Sequence, residues 1–285
     1  MFQRIIIYTY LVVAFASWAQ RAKVRYQNQS FLDHQFWVGL RLGSNLSKAK
    51  PLTRYTLFSA MEGKSAQDYE KKYRNFNKTG FDLSVDLYYD YKGFGVFISP
   101  GYSRNRFSYE NNFTWTDTSD ASFHLEQKNT TTQSLDYVIL PVAIRYAPRQ
   151  LRFRPIVMVG MYYGVLFSAV RNTQVQKIDY ASGGMSTYDL PENTIGNKNL
   201  FLKSNLGWFA QIGASYPLGN VRLSLELYYK RNIHVLTNKQ NRYSDLYISN
   251  DTDLPDDLKL RNLGASMSVA IPLRFLSTSD ATSEL

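Results

Sequence analysis

Apolar and polar residues alternate with period two along most of this chain. In FWVGLRL, Phe36, Val38, Leu40 and Leu42 share one face, and Trp37, Gly39 and Arg41 the other. FDLSVDLYYDY sets Phe81, Leu83, Val85, Leu87, Tyr89 and Tyr91 against Asp82, Ser84, Asp86, Tyr88 and Asp90. The same alternation runs through residues 94–102, 138–146, 206–216, 221–230 and 263–275, while 153–167 is apolar on both faces. Strict alternation is the mark of a strand with two unlike faces. It predicts eight strands of roughly 9–13 residues, the length a tilted strand needs to cross a bilayer.

The connections add a second regularity. Strands two and three are joined by KG, four and five by APRQL, and six and seven by PLGN. The intervening connections, 44–79, 104–133, 171–205 and 231–261, are long and polar. Short and long connections alternate, as they do in a transmembrane barrel with short periplasmic turns and long extracellular loops. The predicted fold is therefore all-β: an eight-stranded antiparallel transmembrane β-barrel over residues 36–275, with both chain ends on the periplasmic side. Outward aromatics at the short-turn ends, Phe36, Tyr91, Phe94, Tyr146, Phe153, Tyr216 and Phe275, form the expected membrane girdle. Phe81, Tyr102, Phe167, Trp208 and Tyr229 mark the outer level.

The face away from lipid carries Arg41, Asp82, Asp86, Asp90, Arg145, Arg222, Glu226 and Lys230. An eight-stranded barrel is just wide enough for side chains to fill it. Charges in that space need partners, so these eight residues are expected to form an ion-pair network that plugs the lumen. Pro141 and Pro272 sit within strand patterns although proline cannot donate to a ladder, and a β-bulge is expected near each.

The N-terminus sets the compartment. Arg4 precedes an apolar run that ends in SWA before Gln20, the pattern of a secretory signal over residues 1–19. Residues 20–35 follow as a periplasmic segment and 276–285 as a C-terminal tail. The expected location is the outer membrane of a Gram-negative bacterium. The chain has no cysteine, which excludes disulfides and thiolate chemistry, and its net charge is +10. For an exported chain that charge points away from nucleic acid and toward outer-membrane lipid and lipopolysaccharide phosphates, with other envelope proteins as further partners.

The first long loop gathers Lys48, Lys50, Arg54, Lys64, Lys71, Lys72, Arg74 and Lys78 against Glu62, Asp68 and Glu70, a basic stretch suited to anions. Within it Ser65 and Asp68 have capping-box spacing for a short helix. NDTDLPDD (250–257) lacks the glycine and terminal glutamate of a calcium loop and reads as an acidic surface turn. ASGGMS (181–186) follows no strand-to-helix pattern and is no phosphate cradle. The histidines are His34, His124 and His234, and only His234 with Asp136 offers a rim pair for hydrolysis, without a supporting motif. No catalytic residue, metal site or cofactor is predicted.

VGLRLGSNLS (38–47), YVILPVAIRY (137–146) and RNLGASMSVAIPLRF (261–275) resemble the PorT-like outer-membrane β-barrel family of Bacteroidota. The resemblance covers nearly all of the chain after residue 19. It implies an eight-stranded barrel and makes the mid-strand proline and the following Arg145 family features. Ile139 stands where that family often has glutamate, which leaves Arg145 to find another acid, with Asp86 and Glu226 as candidates. The expected function is a non-enzymatic structural or accessory outer-membrane subunit acting through its loops. The alternatives are a component or assembly factor of a type IX-like secretion or other envelope machine, and a rim-site hydrolase.

Overall fold

The computed structural model describes residues 34–55, 71–116, 124–148, 153–180, 184–218, 220–243 and 254–273. The predicted signal segment, the 65–68 capping-box positions, Lys64, Phe275 and the predicted tail lie outside them. The strands are β1 (His34–Thr53), β2 (Lys72–Tyr73), β3 (Thr79–Tyr91), β4 (Phe94–Ile98), β5 (Gly101–Thr116), β6 (His124–Tyr146), β7 (Arg154–Asp179), β8 (Ser186–Asp189), β9 (Asn193–Gly196), β10 (Ser204–Leu218), β11 (Val221–Asn232) and β12 (Asp257–Pro272).

These strands close on themselves. β1 pairs with β3, β3 with β4 and β5, those two with β6, β6 with β7, β7 with β10, β10 with β11, β11 with β12, and β12 with β1. Every pairing is antiparallel. β4 and β5 share one place in the wall, so eight strand positions complete the circle, and β2, β8 and β9 add to it outside the circle. Lys92–Gly93 is a two-residue turn in which both residues have positive φ (50° and 88°), as a hairpin with the right twist requires.

The alternation separates inside from outside. On β1, Trp37 and Arg41 are buried while Phe36, Leu40, Leu42 and Leu46 are exposed on the outer wall. The ten residue steps from Phe36 to Leu46 span about 33 Å of strand, or roughly 25 Å of height at the usual tilt, which matches the apolar band of a membrane barrel. Rings meet at the short-turn end of that band: Phe36 with Tyr89 (4.7 Å), Phe94 with Tyr146 (4.8 Å) and Phe153 with Tyr216 (5.1 Å). Phe81 with Tyr102 and Trp208 with Tyr229 mark the outer level.

The proline expectation needs correction. Ile98 faces Val142 and Gly101 faces Ile139, so the register across Pro141 is unbroken and holds no extra residue. Ser99 still donates its N–H to the Pro141 carbonyl, and Val85 donates to the Pro100 carbonyl. The two prolines each omit one return bond, and that omission separates β4 from β5. Pro272 pairs in register with Trp37 and lies past Ala270, the last β12 residue paired with β11. The bulges fall elsewhere. The β6–β7 register shifts between Asp136 and Tyr137, where Phe167 of β7 is the extra residue, and the β1–β12 register shifts between Pro51 and Thr53.

The long connections are also more ordered than expected. β5, β6 and β7 run well past the outer aromatics and stay paired to Thr116, His124 and Asp179. β2 joins this extension on one side, and β8 and β9 on the other. The reason is compositional: runs such as NTTTQS (129–134) have no apolar face, yet threonine suits the pleat and polar partners satisfy both sides.

Candidate functional site

The interior is filled in layers. Nearest the short turns, Asp90 accepts from Arg145 (2.7 Å) and from Arg222. Arg222 lies 3.9 Å from the Trp37 ring centre and Arg145 lies 4.8 Å from that of Tyr88. In the next layer Arg41 donates to Asp86 (2.9 Å) and to Glu226. Ser99 donates to Asp86, and Gln211 to Glu226. Above that, Asp82 accepts from Tyr228 and from Lys230 (3.3 Å). The structure thus brings the eight charged residues predicted for the lumen into three groups. Arg145 takes Asp90, and neither Asp86 nor Glu226, which both belong to Arg41.

Register explains that choice. Gly95 stands between Asp90 on β3 and Arg145 on β6 in the same row of the wall. Without a side chain there, the guanidinium reaches across to the carboxylate. A Cβ at Gly95 would lie 2.6 Å from the Tyr89 carbonyl oxygen and 2.8 Å from Asp90 Oδ1. Gly95→Val is therefore expected to destabilise the barrel by about 1–3 kcal/mol, read as a lower urea midpoint for the folded band on a gel.

Above the charged layers comes a tier of amides. Asn105 accepts from Asn262 (2.8 Å), and Asn205 accepts from Asn232. An apolar cap follows, in which Leu200, Phe201 and Leu236 tuck in from the connections against Phe107, Tyr137 and Leu260. A second apolar cluster around Trp37, Tyr88, Phe97 and Met158 lines the opposite half. Two small cavities between the layers leave ≈ 40 and ≈ 10 Å³ to water. That is room for a few water molecules, not the few hundred Å³ of a ligand pocket.

The predicted basic loop does not form one surface. Lys48 and Lys50 belong to β1 and point outward, and Lys72 is exposed on β2. Arg54 precedes the undescribed stretch, and Lys78 is half-buried. Arg74 pairs with Glu110. Lys71 is buried and donates to Asp256 (3.3 Å) and to the Leu254 carbonyl. The acidic surface turn is likewise corrected. Asp256 accepts from Tyr73 and Lys71, Asp257 pairs with Arg242, and both carboxylates are buried. Burial demands partners for charge, and these cations supply them, so the turn ties the extension together. The other aspartates of that turn lie outside the described residues.

The rim pair does not assemble. Asp136 is held by Arg104 (2.7 Å), whose side chain is half-exposed, while His234 is exposed beyond the end of β11. His124 stacks on Tyr180 (4.2 Å), and His34 pairs with Tyr91 at the start of β1. Among the described residues no three His, Cys, Asp or Glu side chains group as metal ligands.

A closed antiparallel wall with an apolar outer band, ring girdles and a charged interior defines an integral outer-membrane β-barrel. The chain belongs to the family described as outer membrane protein beta-barrel domain, which matches residues 18–238, and its place is the outer membrane of a Gram-negative envelope. Comparison with curated protein sequences returns no match. Among solved structures, the attachment invasion locus protein Ail of Yersinia pestis, in complex with the heparin analogue sucrose octasulfate, is 11% identical, covers 83% of this chain and 99% of its own, and has a TM-score of 0.28. Neisserial surface protein A is 14% identical over 82% of this chain and 96% of its own, with a TM-score of 0.29. The outer membrane protease OmpT of Escherichia coli is 10% identical over 85% and 97%, with a TM-score of 0.32. These similarities carry no inference about activity.

Proposed function

We propose that this barrel is a non-enzymatic structural or accessory subunit of the outer membrane, which works through the sheet it raises outside the bilayer. The observation that supports this is the filled lumen. Three ion-pair groups, an amide tier and an apolar cap leave no transport path or ligand pocket among the described residues. What remains for contact is the extension of β5, β6 and β7 with β2, β8 and β9. The secretion-machine reading is a special case, supported by the motif resemblance at 38–47, 137–146 and 261–275.

The test is native extraction in mild detergent with a tag after Leu285 and a photo-crosslinker at Glu126 or Tyr188, on the extension. A crosslinker at Leu225, on the lipid face, is the control. A discrete protein captured in stoichiometric amount from the extension positions only is the expected result, and envelope-machine components among the captured proteins would select that reading. Capture of nothing by the extension positions would sink the proposal, as would lipid or peptide hydrolysis abolished by His234→Ala.

The barrel itself has a simple check. Unheated protein should migrate faster than boiled protein on a denaturing gel, and in a planar bilayer the folded form should give no stepwise conductance. Equal migration would refute the barrel, and regular conductance steps would refute the sealed lumen.

A further inference from the structure

The three strands β11, β12 and β1 carry a cluster of cations that the lumen and the extension leave unused. Lys48 on β1 lies directly opposite Arg261 on β12, and Arg261 lies directly opposite Arg231 on β11. One pair further out, Lys50 faces Lys259. All five share the outward parity of Leu46, Leu263 and Tyr229, which form the row immediately below. All five are half-buried or exposed. Among the described residues none has a carboxylate partner, and the outward positions of these three strands include no Asp or Glu from Phe36 to Lys50, Val221 to Arg231 or Lys259 to Ile271.

Like charges directly opposite one another in a sheet repel and destabilise it. Here three such pairs are stacked in two rows, so the fold retains a repulsion that only an outside anion relieves. The height of the cluster identifies that anion. The row below is apolar, and Tyr229 is in ring contact with Trp208 (5.5 Å), which itself pairs across to Arg231. Trp and Tyr settle at the headgroup boundary. Two residues further along the strand, the cations stand at the level of lipid phosphates, where each basic side chain attracts an anionic surface.

The geometry points to a binding site for a phosphorylated lipid headgroup of the outer leaflet, formed by Lys48, Arg231, Lys259 and Arg261 with Lys50 at its outer edge. Arg231 and Arg261 offer forked donors to phosphate oxygens, and the lysines add point charge. The acyl chains lie against Leu46, Leu263 and Tyr229. The site rests on the outer-membrane placement of the barrel and is independent of any protein partner.

The test uses the full chain, folded in neutral detergent micelles doped with lipid A, and counts bound lipid by mass spectrometry of the intact protein. The comparison is with K48Q/R231Q/R261Q. Wild type should retain lipid A, and the triple variant should bind it roughly a hundredfold more weakly, about fivefold for each charge removed. Dephosphorylated lipid A should bind neither protein, and inorganic phosphate should not displace lipid A from wild type at matched concentration. The triple variant should also unfold at the same or a higher temperature in neutral detergent, yet gain less from added lipid A. Equal lipid A retention by the two proteins would overturn the site, and so would displacement by inorganic phosphate at equal concentration. Gel mobility of the unheated samples separates the outcomes. A folded band with no difference in lipid binding removes this site alone, whereas no folded band for wild type removes the barrel reading too.

Discussion

Arg41→Met should lower the stability of the folded barrel by about 3–5 kcal/mol, the cost of breaking a buried pair from one side. Among the described residues the Arg41 guanidinium is the cation that bonds both Asp86 and Glu226, and it also donates to Ser266. Without it, two carboxylates remain in the interior of the wall, with Ser99 and Gln211 as their polar contacts. The guanidinium carbon lies 5.1 Å from the Phe97 ring centre, and methionine keeps an unbranched apolar chain beside that ring, so lost volume accounts for little of the effect. Arg41→Lys keeps the charge but loses the fork that serves two acids at once, and should fall between the variant and wild type. Neutralising both acids in R41M/D86N/E226Q should recover most of the loss. Urea unfolding followed by gel mobility measures all four proteins. An R41M midpoint indistinguishable from wild type would show that the middle layer is solvated and does not rely on the pair.

Much of this architecture was legible in the sequence. Period-two alternation gives the wall, because a barrel strand has lipid on one side and side chains on the other. The same parity placed Arg41, Asp82, Asp86, Asp90, Arg145, Arg222, Glu226 and Lys230 inside. What parity does not contain is the stagger between strands. Gly95 lines up with both Asp90 and Arg145 only once the registers are set, so the choice of Asp90 for Arg145 was not readable. The polar extension was missed for a different reason. Residues 124–134 are mostly polar on both faces, and even the buried Asn129, Thr131 and Gln133 are polar, with Thr173 and Asn197 among the partners, so they show no hydrophobic period although they form a strand. The cap was missed because Leu200, Phe201 and Leu236 are isolated apolar residues in polar connections, where only an odd run such as NLFL (199–202) hints at burial. The basic cluster on β11, β12 and β1 was divided in sequence between two loops, and cross-strand pairing unites it.

Asp90→Ala is the complementary change in the lower layer and should cost about as much, 3–5 kcal/mol, because it leaves two arginines unpaired in place of two carboxylates. Both guanidiniums keep aromatic faces, Arg222 over Trp37 and Arg145 over Tyr88. Cation–π contact at buried sites recovers roughly 2 kcal/mol at most, which is less than the pairs lost. The two cations also sit in one layer and repel. Removing all three charges as D90L/R145M/R222M should therefore be much milder than D90A, since apolar replacement of a buried group is often neutral or stabilising when neighbours are already apolar. Trp37, Tyr88, Phe97 and Met158 provide such neighbours. The all-alanine version, D90A/R145A/R222A, asks which layer closes the lumen. It removes side-chain bulk at the short-turn end but leaves the Arg41 group, the Asp82 group and the apolar cap above. In a planar bilayer it should remain non-conducting while unfolding more easily. Stepwise conductance from this variant would instead make the lowest layer the sole barrier, and the lumen would be a gated channel with Asp90 as its latch.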